Sequence, residues 1–461
     1  MEKSAQSLVE AQRTFFNSGA TRPIAFRRAM LKKLKSAILS REKDILDAVH
    51  RDLGKSDFEA FTTEIVLVLR EIDTMLKNLG KWTKPRRRSA GLFNFPGKAR
   101  VYHDPHGVCL VMSPWNYPFQ LTIMPLVGAI AGGNTVIVKP SAYSPATQDC
   151  IADMITETFD PSYITVVTGG RDANQNLLEQ KFDYIFFTGG IQVGSLVMTQ
   201  AAKHLTPVTL ELGGKSPCII APDADIDRAA KRAAWGKCIN AGQTCVAPDH
   251  FLVHRSVRDV FVEKMRSYIE KFYGLEPHAN PEFPNIINKK HFERLSALIT
   301  SAQKDGATLV SGGRTVPETL KIEPSIFTGV TRENPLMQEE LFGPIIPVLE
   351  WESEDDLVAA LLAEPRPLAL YVFTRNRSFS GRLMRLIPFG GGCVNDTVMH
   401  LASHALPFGG TGTSGMGAYH GKASFNTFSR EKSVVEKGFL VDVPLRYAPF
   451  AGKYRLFRRF L

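Results

Sequence analysis

Apolar positions recur at the helical interval through the first eighty residues. Leu31, Leu34, Ile38, Ile45 and Val49 form one stripe of that period, which predicts amphipathic helix facing a core. Thr21-Arg22-Pro23 opens a helix, because proline is tolerated in a first turn. A second helical segment is predicted over roughly 56–80. The pattern breaks at KWTKPRRRSAGLFNFPGKARVYHDPHG, whose prolines and glycines, with alternation near residues 99–103, predict a loop and an extended hairpin.

From about residue 107 the rhythm changes. VCLVM, TVIVKP, ITVVTG, YIFFTGG and VTLELGG are short apolar runs, each closed by a turn signal and separated by helical stretches. Such runs predict a parallel sheet covered on both faces by helices, with ligands bound at the carboxyl ends of its strands. A second α/β stretch begins near 214, with strands in SPCII, HFLVH, GATLV, PSIFTGV and PIIPVLEW. Its helices lie in DADIDRAAKRAAWGKCIN and SVRDVFVEKMRSYIEKFY. The tail after about 413 reads as loop and ends in KYRLFRRFL.

A chain of 461 residues is too long for one ordinary core, so two or more domains are expected. With 44% hydrophobic and 22% charged residues it reads as globular. The net charge of +10 favours anionic partners such as nucleotide phosphates. Its one tight basic cluster, Lys84 to Arg88, has no recognition motif beside it, so no nucleic-acid partner is expected. The six cysteines, Cys109, Cys150, Cys218, Cys238, Cys245 and Cys393, form no CxxC pair and match no zinc spacing. No metal site is expected, and a reducing, cytoplasmic setting is. The start lacks the apolar core of a signal peptide, and no run of about 18 apolar residues exists to span a membrane.

Several strand ends carry residues capable of chemistry. In NAGQTCVAP, Cys245 follows a glycine-containing turn. It would be a nucleophile if local positive potential or aligned dipoles favoured its thiolate, and otherwise a buried packing residue. Glu211 closes the run VTLE between Leu210 and Leu212. Burial there would raise its pKa toward that of a general base, unless backbone amides or a lysine hold it. Asn116 in SPWNYPF offers an amide for an oxyanion, or caps the helix that follows. Gly189 and Gly194 stand at a strand-to-helix junction where a phosphate can approach helix N–H groups. Lys139 lies beyond another strand end, placed for ribose or phosphate. In EELFGP, Glu340 can accept ribose hydroxyls, and Phe342 can pack on a flat ring or in the core.

Together SPWNYP, VIVKPS, FTGG, LELGGKSP, GQTC, EELFGP and PFGGTGTSGMG resemble an aldehyde dehydrogenase, in family order from about residue 10 to about 435. AAKHLTPVTLELGGKSPCII and ALPFGGTGTSGMGAYHGKASFNTFS are similar to the class 3 branch, which includes dimers acting on aromatic and medium- to long-chain aliphatic aldehydes. The resemblance implies an α/β fold: a Rossmann-type cofactor domain over 1–82 and 107–212, an α/β catalytic domain over 213–412, and oligomerisation segments 83–106 and 413–461. It implies oxidation of an aldehyde to an acid with NAD or NADP, through a Cys245 hemithioacetal and thioester. Asn116 and the Cys245 amide would hold the oxyanion, and Glu211 would activate the hydrolytic water. Ser113, Trp115, Lys139, Gly189, Gly194, Glu340 and Phe342 would hold the dinucleotide. A homodimer is expected.

Two positions depart from the family pattern. Many NAD-preferring members carry a glutamate where KPSAY has Ala142. Losing that acid removes a ribose bond and a charge that repels a 2′-phosphate, so NADP acceptance is expected. Gly190 replaces a residue that is often polar, which would loosen the pyrophosphate grip. Two other readings compete. A coenzyme A-acylating dehydrogenase needs no water-activating acid, so Glu211 favours hydrolysis. A non-catalytic relative would not keep nucleophile, base and oxyanion donor together. Leu456, Phe457, Phe460 and Leu461 among Arg455, Arg458 and Arg459 suit weak contact with an anionic membrane, against a simpler reading as a packed or exposed end.

Overall fold

VCLVM, TVIVK and YIFFT are buried at every position, as strands covered on both faces must be. In the computed structural model, which describes residues 4–91 and 94–458, they lie in a six-stranded sheet. Its order is Gly415–Met416, Val208–Glu211, Tyr184–Thr188, Val108–Met112, Thr135–Lys139, Ile164–Val166. All neighbours are parallel except Gly415–Met416, which runs against Val208–Glu211. Met112 is opposite Lys139 and Phe187, and Thr188 is opposite Glu211. Four carboxyl ends therefore emerge at nearly one level, where ligands of such sheets bind.

The second sheet has seven strands, in the order Thr308–Ser311, Ser325–Thr328, Ile345–Trp351, His250–His254, Pro217–Ile220, Ala369–Phe373, Gly391–Val394. Only the Thr308–Ser311 edge is antiparallel. The last two strands are not predicted from the sequence. GGCV opens with two glycines, which weakens its strand signal, whereas ALYVF is a short apolar run of the same kind as VCLVM that the structure adds to the sheet. Cys245 precedes His250–His254, and Leu368 precedes Ala369–Phe373. Both line one cavity with Thr188 and Glu211. The amino ends of this sheet thus meet the carboxyl ends of the first.

The amino-terminal stripe is divided between two helices. Leu31, Leu34 and Ile38 lie on Ile24–Ser40, and Ile45 and Val49 on Glu42–Leu53, all fully buried. The predicted helix over 56–80 is interrupted: Asp57–Ala60 leads into a π turn, Phe61–Ile65, before Val66–Trp82. Single π turns within helices recur at functional sites, and here Thr62 and Thr63 line the cavity.

The predicted hairpin forms between Arg86–Arg88 and Lys98–Pro105. The tail differs from its loop reading. Lys422–Thr427 is helix, and Ser429–Glu436 is an eight-residue strand paired along Lys98–Pro105. Its sequence, SREKSVVE, has little hydrophobic pattern because most of its side chains are exposed; cross-strand pairing alone makes it a strand. Beyond it, Phe439, Leu440, Phe450 and Tyr454 are exposed. Of the basic-apolar tail, Arg459, Phe460 and Leu461 and the side chains of Leu456 and Phe457 lie outside the described residues. Among the described residues, no helix is long and apolar enough to cross a membrane.

Candidate active site

The Cys245 loop is built at some cost in backbone energy. After the helix Ile226–Cys238 the chain takes two successive left-handed residues, Asn240 (φ 51°) and Ala241 (φ 50°). Such non-glycine conformations cost on the order of 1 kcal/mol or more each and persist only where surroundings impose them. Here they do. Glu59 accepts from Asn240 N at 2.7 Å, and the Asn240 amide donates to the carbonyls of Asn116 (2.7 Å) and Gln243 (3.0 Å). Gln243 donates to Asn240 O and Asn285 O. Tyr117 and Thr244 share a hydroxyl bond of 2.6 Å, and Tyr371 donates to Val246 O at 2.6 Å. Residues 243, 244 and 246 are thus tied, and half-buried Cys245 is presented between them.

A cavity of about 470 Å³ receives it. Its wall is mainly apolar, including Leu121, Trp235, Tyr273, Leu401, Phe408 and Tyr419. Glu211 faces the same space at 3% exposure, and neither of its carboxyl oxygens has a hydrogen-bond partner among the described residues. Burial pushes its pKa well above the usual carboxylate range. The alternative of a carboxylate held by amides or a lysine is not what the structure shows. Asn116 is buried and donates one proton of its amide to Gln243 O at 3.0 Å, which leaves the second for another acceptor. It does not cap the following helix. Phe119 N and Gln120 N, at the start of Gln120–Gly132, are taken by Glu64 Oε2.

The thiol departs from the expectation of positive potential. Burial pushes Cys245 up to about 12, and Glu340 and Glu211 push the same way, against weaker pulls from the N–H groups of Cys245 and Val246. Glu340 is itself pushed up to about 8 by burial and by Asp249. The site therefore gathers three groups that resist ionisation together. Sulfur becomes nucleophilic only when its proton moves to a base, and Glu211 opens on the same cavity.

The residues expected around a dinucleotide lie at the same sheet ends, and several features fit one. The helix Ile191–Ala202 starts without a side-chain cap and with no acid in its first turn, leaving N–H groups for phosphate. Gly194 is glycine for packing: a Cβ there would stand 2.6 Å from Leu212 Cδ2. At Gly190 a Cβ would meet nothing within 4 Å, so no steric demand explains that glycine. Gly189 N donates to Glu211 O at 3.0 Å. Lys139 is buried, its pKa lowered to about 8 by desolvation, and its ammonium donates only to Pro140 O among the described residues. A desolvated ammonium without an acid suits a hydroxyl- or phosphate-bearing ligand. Glu340 packs its carboxyl against Gly213, where any Cβ would collide, and accepts from Gly214 N. Phe342 is half-buried in a left-handed conformation (φ 51°), its ring edge-on to Trp115 at 5.3 Å. Ser113 is committed to Thr122, Oγ to Oγ1 at 2.5 Å. Among the described residues no group of three His, Cys, Asp or Glu is arranged around a metal.

The supports of these loops carry no signal in the sequence. Lys55 and Glu64, both fully buried, pair at 2.7 Å; Lys55 also donates to Asn116 O at 3.2 Å and lies over the Tyr117 ring. Lys55 precedes Ser56 and Asp57 and Glu64 follows two threonines, so the burial of each comes from its long-range partners and not from a local pattern. Lys55→Met leaves the Glu64 charge buried with only backbone N–H partners. We expect a loss of about 3–5 kcal/mol of stability, measured by denaturant unfolding.

The profile of the aldehyde dehydrogenase family matches residues 1–434. The 4,4′-diaponeurosporen-aldehyde dehydrogenase of Staphylococcus aureus is 45% identical over 448 residues, covering 97% of both chains. Aldehyde dehydrogenase family 3 member A2 of Rattus norvegicus is 43% identical over 451 residues, covering 97% of this chain and 91% of that one. A substrate-bound structure of Staphylococcus aureus AldH superposes with a TM-score of 0.97 at 43% identity, covering all of both chains.

Proposed function

Because the chain belongs to the aldehyde dehydrogenase family and oxidises aldehydes to carboxylic acids with a nicotinamide dinucleotide, we propose that Cys245 is the nucleophile, Asn116 the oxyanion donor and Glu211 the base. The observation that carries this reading is one cavity lined by both Cys245 and Glu211, with Asn116 hydrogen-bonded into the Cys245 loop. Glu211 takes the thiol proton, and sulfur forms a bond to the aldehyde carbon. The carbonyl electron pair moves to oxygen, where the free Asn116 amide proton and the Cys245 N–H receive it. When bound, the dinucleotide supplies a positively charged ring that accepts the hydride and so leaves a thioester on Cys245. Glu211 passes the thiol proton to solvent, then removes a proton from water as it attacks the thioester, and the acid leaves with sulfur returning as thiolate. Asn116→Ala should cut kcat/KM by about 10²–10³-fold, or roughly 3–4 kcal/mol, read from steady-state dinucleotide reduction. An unchanged value would remove Asn116 from this role.

Lys139 and Glu340 would hold the riboses, Gly189, Gly194 and the start of Ile191–Ala202 the pyrophosphate, and Ser113, Trp115 and Phe342 the nicotinamide end. Ala142 is exposed and offers no acid to a 2′-phosphate, which supports use of NADP. Ala142→Glu should lower the NADP-to-NAD ratio of kcat/KM by about tenfold or more, roughly 1.4 kcal/mol. The apolar wall suits medium- to long-chain or aromatic aldehydes. The exposed Val435, Phe439 and Leu440 beside the three-stranded sheet suit burial in a homodimer. Six unpaired cysteines suit a reducing cytoplasm. Phe450 and Tyr454, exposed beside Arg455, support weak contact with an anionic membrane surface.

A further inference from the structure

Glu59 lines the same cavity as Cys245 and takes no part in the chemistry above. It stands on the short helix Asp57–Ala60, whose capping Ser56 accepts from Glu59 N. Glu59 Oε1 accepts from Asn240 N at 2.7 Å, at the first of the two strained left-handed residues. The Asn240 amide donates to Asn116 O and Gln243 O, and Asn116 Nδ2 donates to that same Gln243 carbonyl. One carboxyl oxygen therefore anchors the turn from which both the oxyanion donor and the nucleophile loop are hung. We propose that Glu59 is a positioning residue for the oxidation: its carboxylate holds the Asn240–Ala241 turn left-handed and so fixes Asn116 relative to Cys245. This rests on the roles of Cys245 and Asn116 given above.

The charge on Glu59 tunes the anchor. Burial pushes its pKa up to about 7, opposed by Lys55 and the Asn240 N–H and reinforced by Glu64. Tyr117, Cys238 and Tyr273 also face it, and Glu282 lines the same cavity. Above about pH 7 the bond to Asn240 N is charge-assisted and roughly twice as strong as the neutral one present below it.

The test uses full-length Glu59→Ala, Glu59→Gln and Cys245→Ala, with kcat and KM for a short unbranched aldehyde followed across neutral pH and melting temperature recorded. Glu59→Ala should lower kcat about tenfold or more with KM within about threefold, because a fixed geometry rather than a substrate contact is lost. Glu59→Gln keeps an acceptor oxygen and should restore most of kcat on the acid side. The ratio of wild-type kcat to Glu59→Gln kcat should then rise through about pH 7, and groups common to both cancel in it. A Glu59→Ala enzyme with kcat within about twofold of wild type, or a ratio flat with pH, overturns the proposal. If Glu59→Ala does not fold, the ratio alone decides. Turnover persisting in Cys245→Ala would overturn the reading of the site itself, an outcome distinct from wild-type behaviour of the Glu59 variants.

Discussion

Cys245→Ala should abolish turnover, with a loss on the order of 10⁴-fold or more, the scale seen when a nucleophile is deleted from an otherwise intact site. No other thiol can substitute. Cys109, Cys218 and Cys238 are fully buried, and Cys150 and Cys393 do not line the cavity. The alanine also relieves the crowding of three groups that resist ionisation together, so the fold should lose nothing. Expected together are wild-type melting, retained dinucleotide binding by fluorescence titration, no aldehyde-dependent reduction of NAD or NADP, and no acyl adduct by mass spectrometry. Reduction within about tenfold of wild type would mean the carbonyl is not attacked by this sulfur.

Glu211→Gln should separate the two halves of the reaction. Water attack without its base slows by about 10²–10⁴-fold, and the thioester on Cys245 should then accumulate. Hydride leaves before hydrolysis, so the first turnover still produces reduced dinucleotide, slowed to the extent that Glu211 also accepts the thiol proton. The measurement is a burst approaching one equivalent per site, followed by a slow steady rate, with the acyl mass on a Cys245 peptide. Acid release by the wild type without coenzyme A belongs to the same experiment, since an acylating enzyme would stall there. The pH sign follows from burial. Glu211 is pushed well above its ordinary value and works as a base only when deprotonated, so wild-type deacylation should increase as pH rises. Glutamine carries no charge to bury, and both Glu211 oxygens lack hydrogen bonds among the described residues, so melting should stay level or rise. A matching fall in melting temperature would instead mark Glu211 as structural.

Much of this was legible in order along the chain. A strand covered on both faces must be apolar throughout, and its end must turn, so VCLVM, TVIVK, YIFFT and VTLE announced themselves together with the residues at their ends. Glu211 at the close of an apolar run was readable as a buried acid because its neighbours fix its surroundings. Ser429–Glu436 was not readable, because its partner at Lys98–Pro105, more than three hundred residues earlier, supplies the hydrogen bonds that its own side chains do not advertise.

By itself, then, the sequence determined which segments form the parallel strands of the first sheet, which strand ends and turns carry an acid, an amide, an ammonium and a thiol, and which family their order belongs to. Only the tertiary structure decided that the thiol and the acid line one cavity, that two acids crowd the thiol where positive potential was expected, and that Lys55, Glu64 and Glu59 support the catalytic loops. The reason is range. Periodicity reports a residue's own burial, whereas the bond from Asn116 to Gln243 joins positions 127 apart, and such a contact leaves no mark on the pattern at either end.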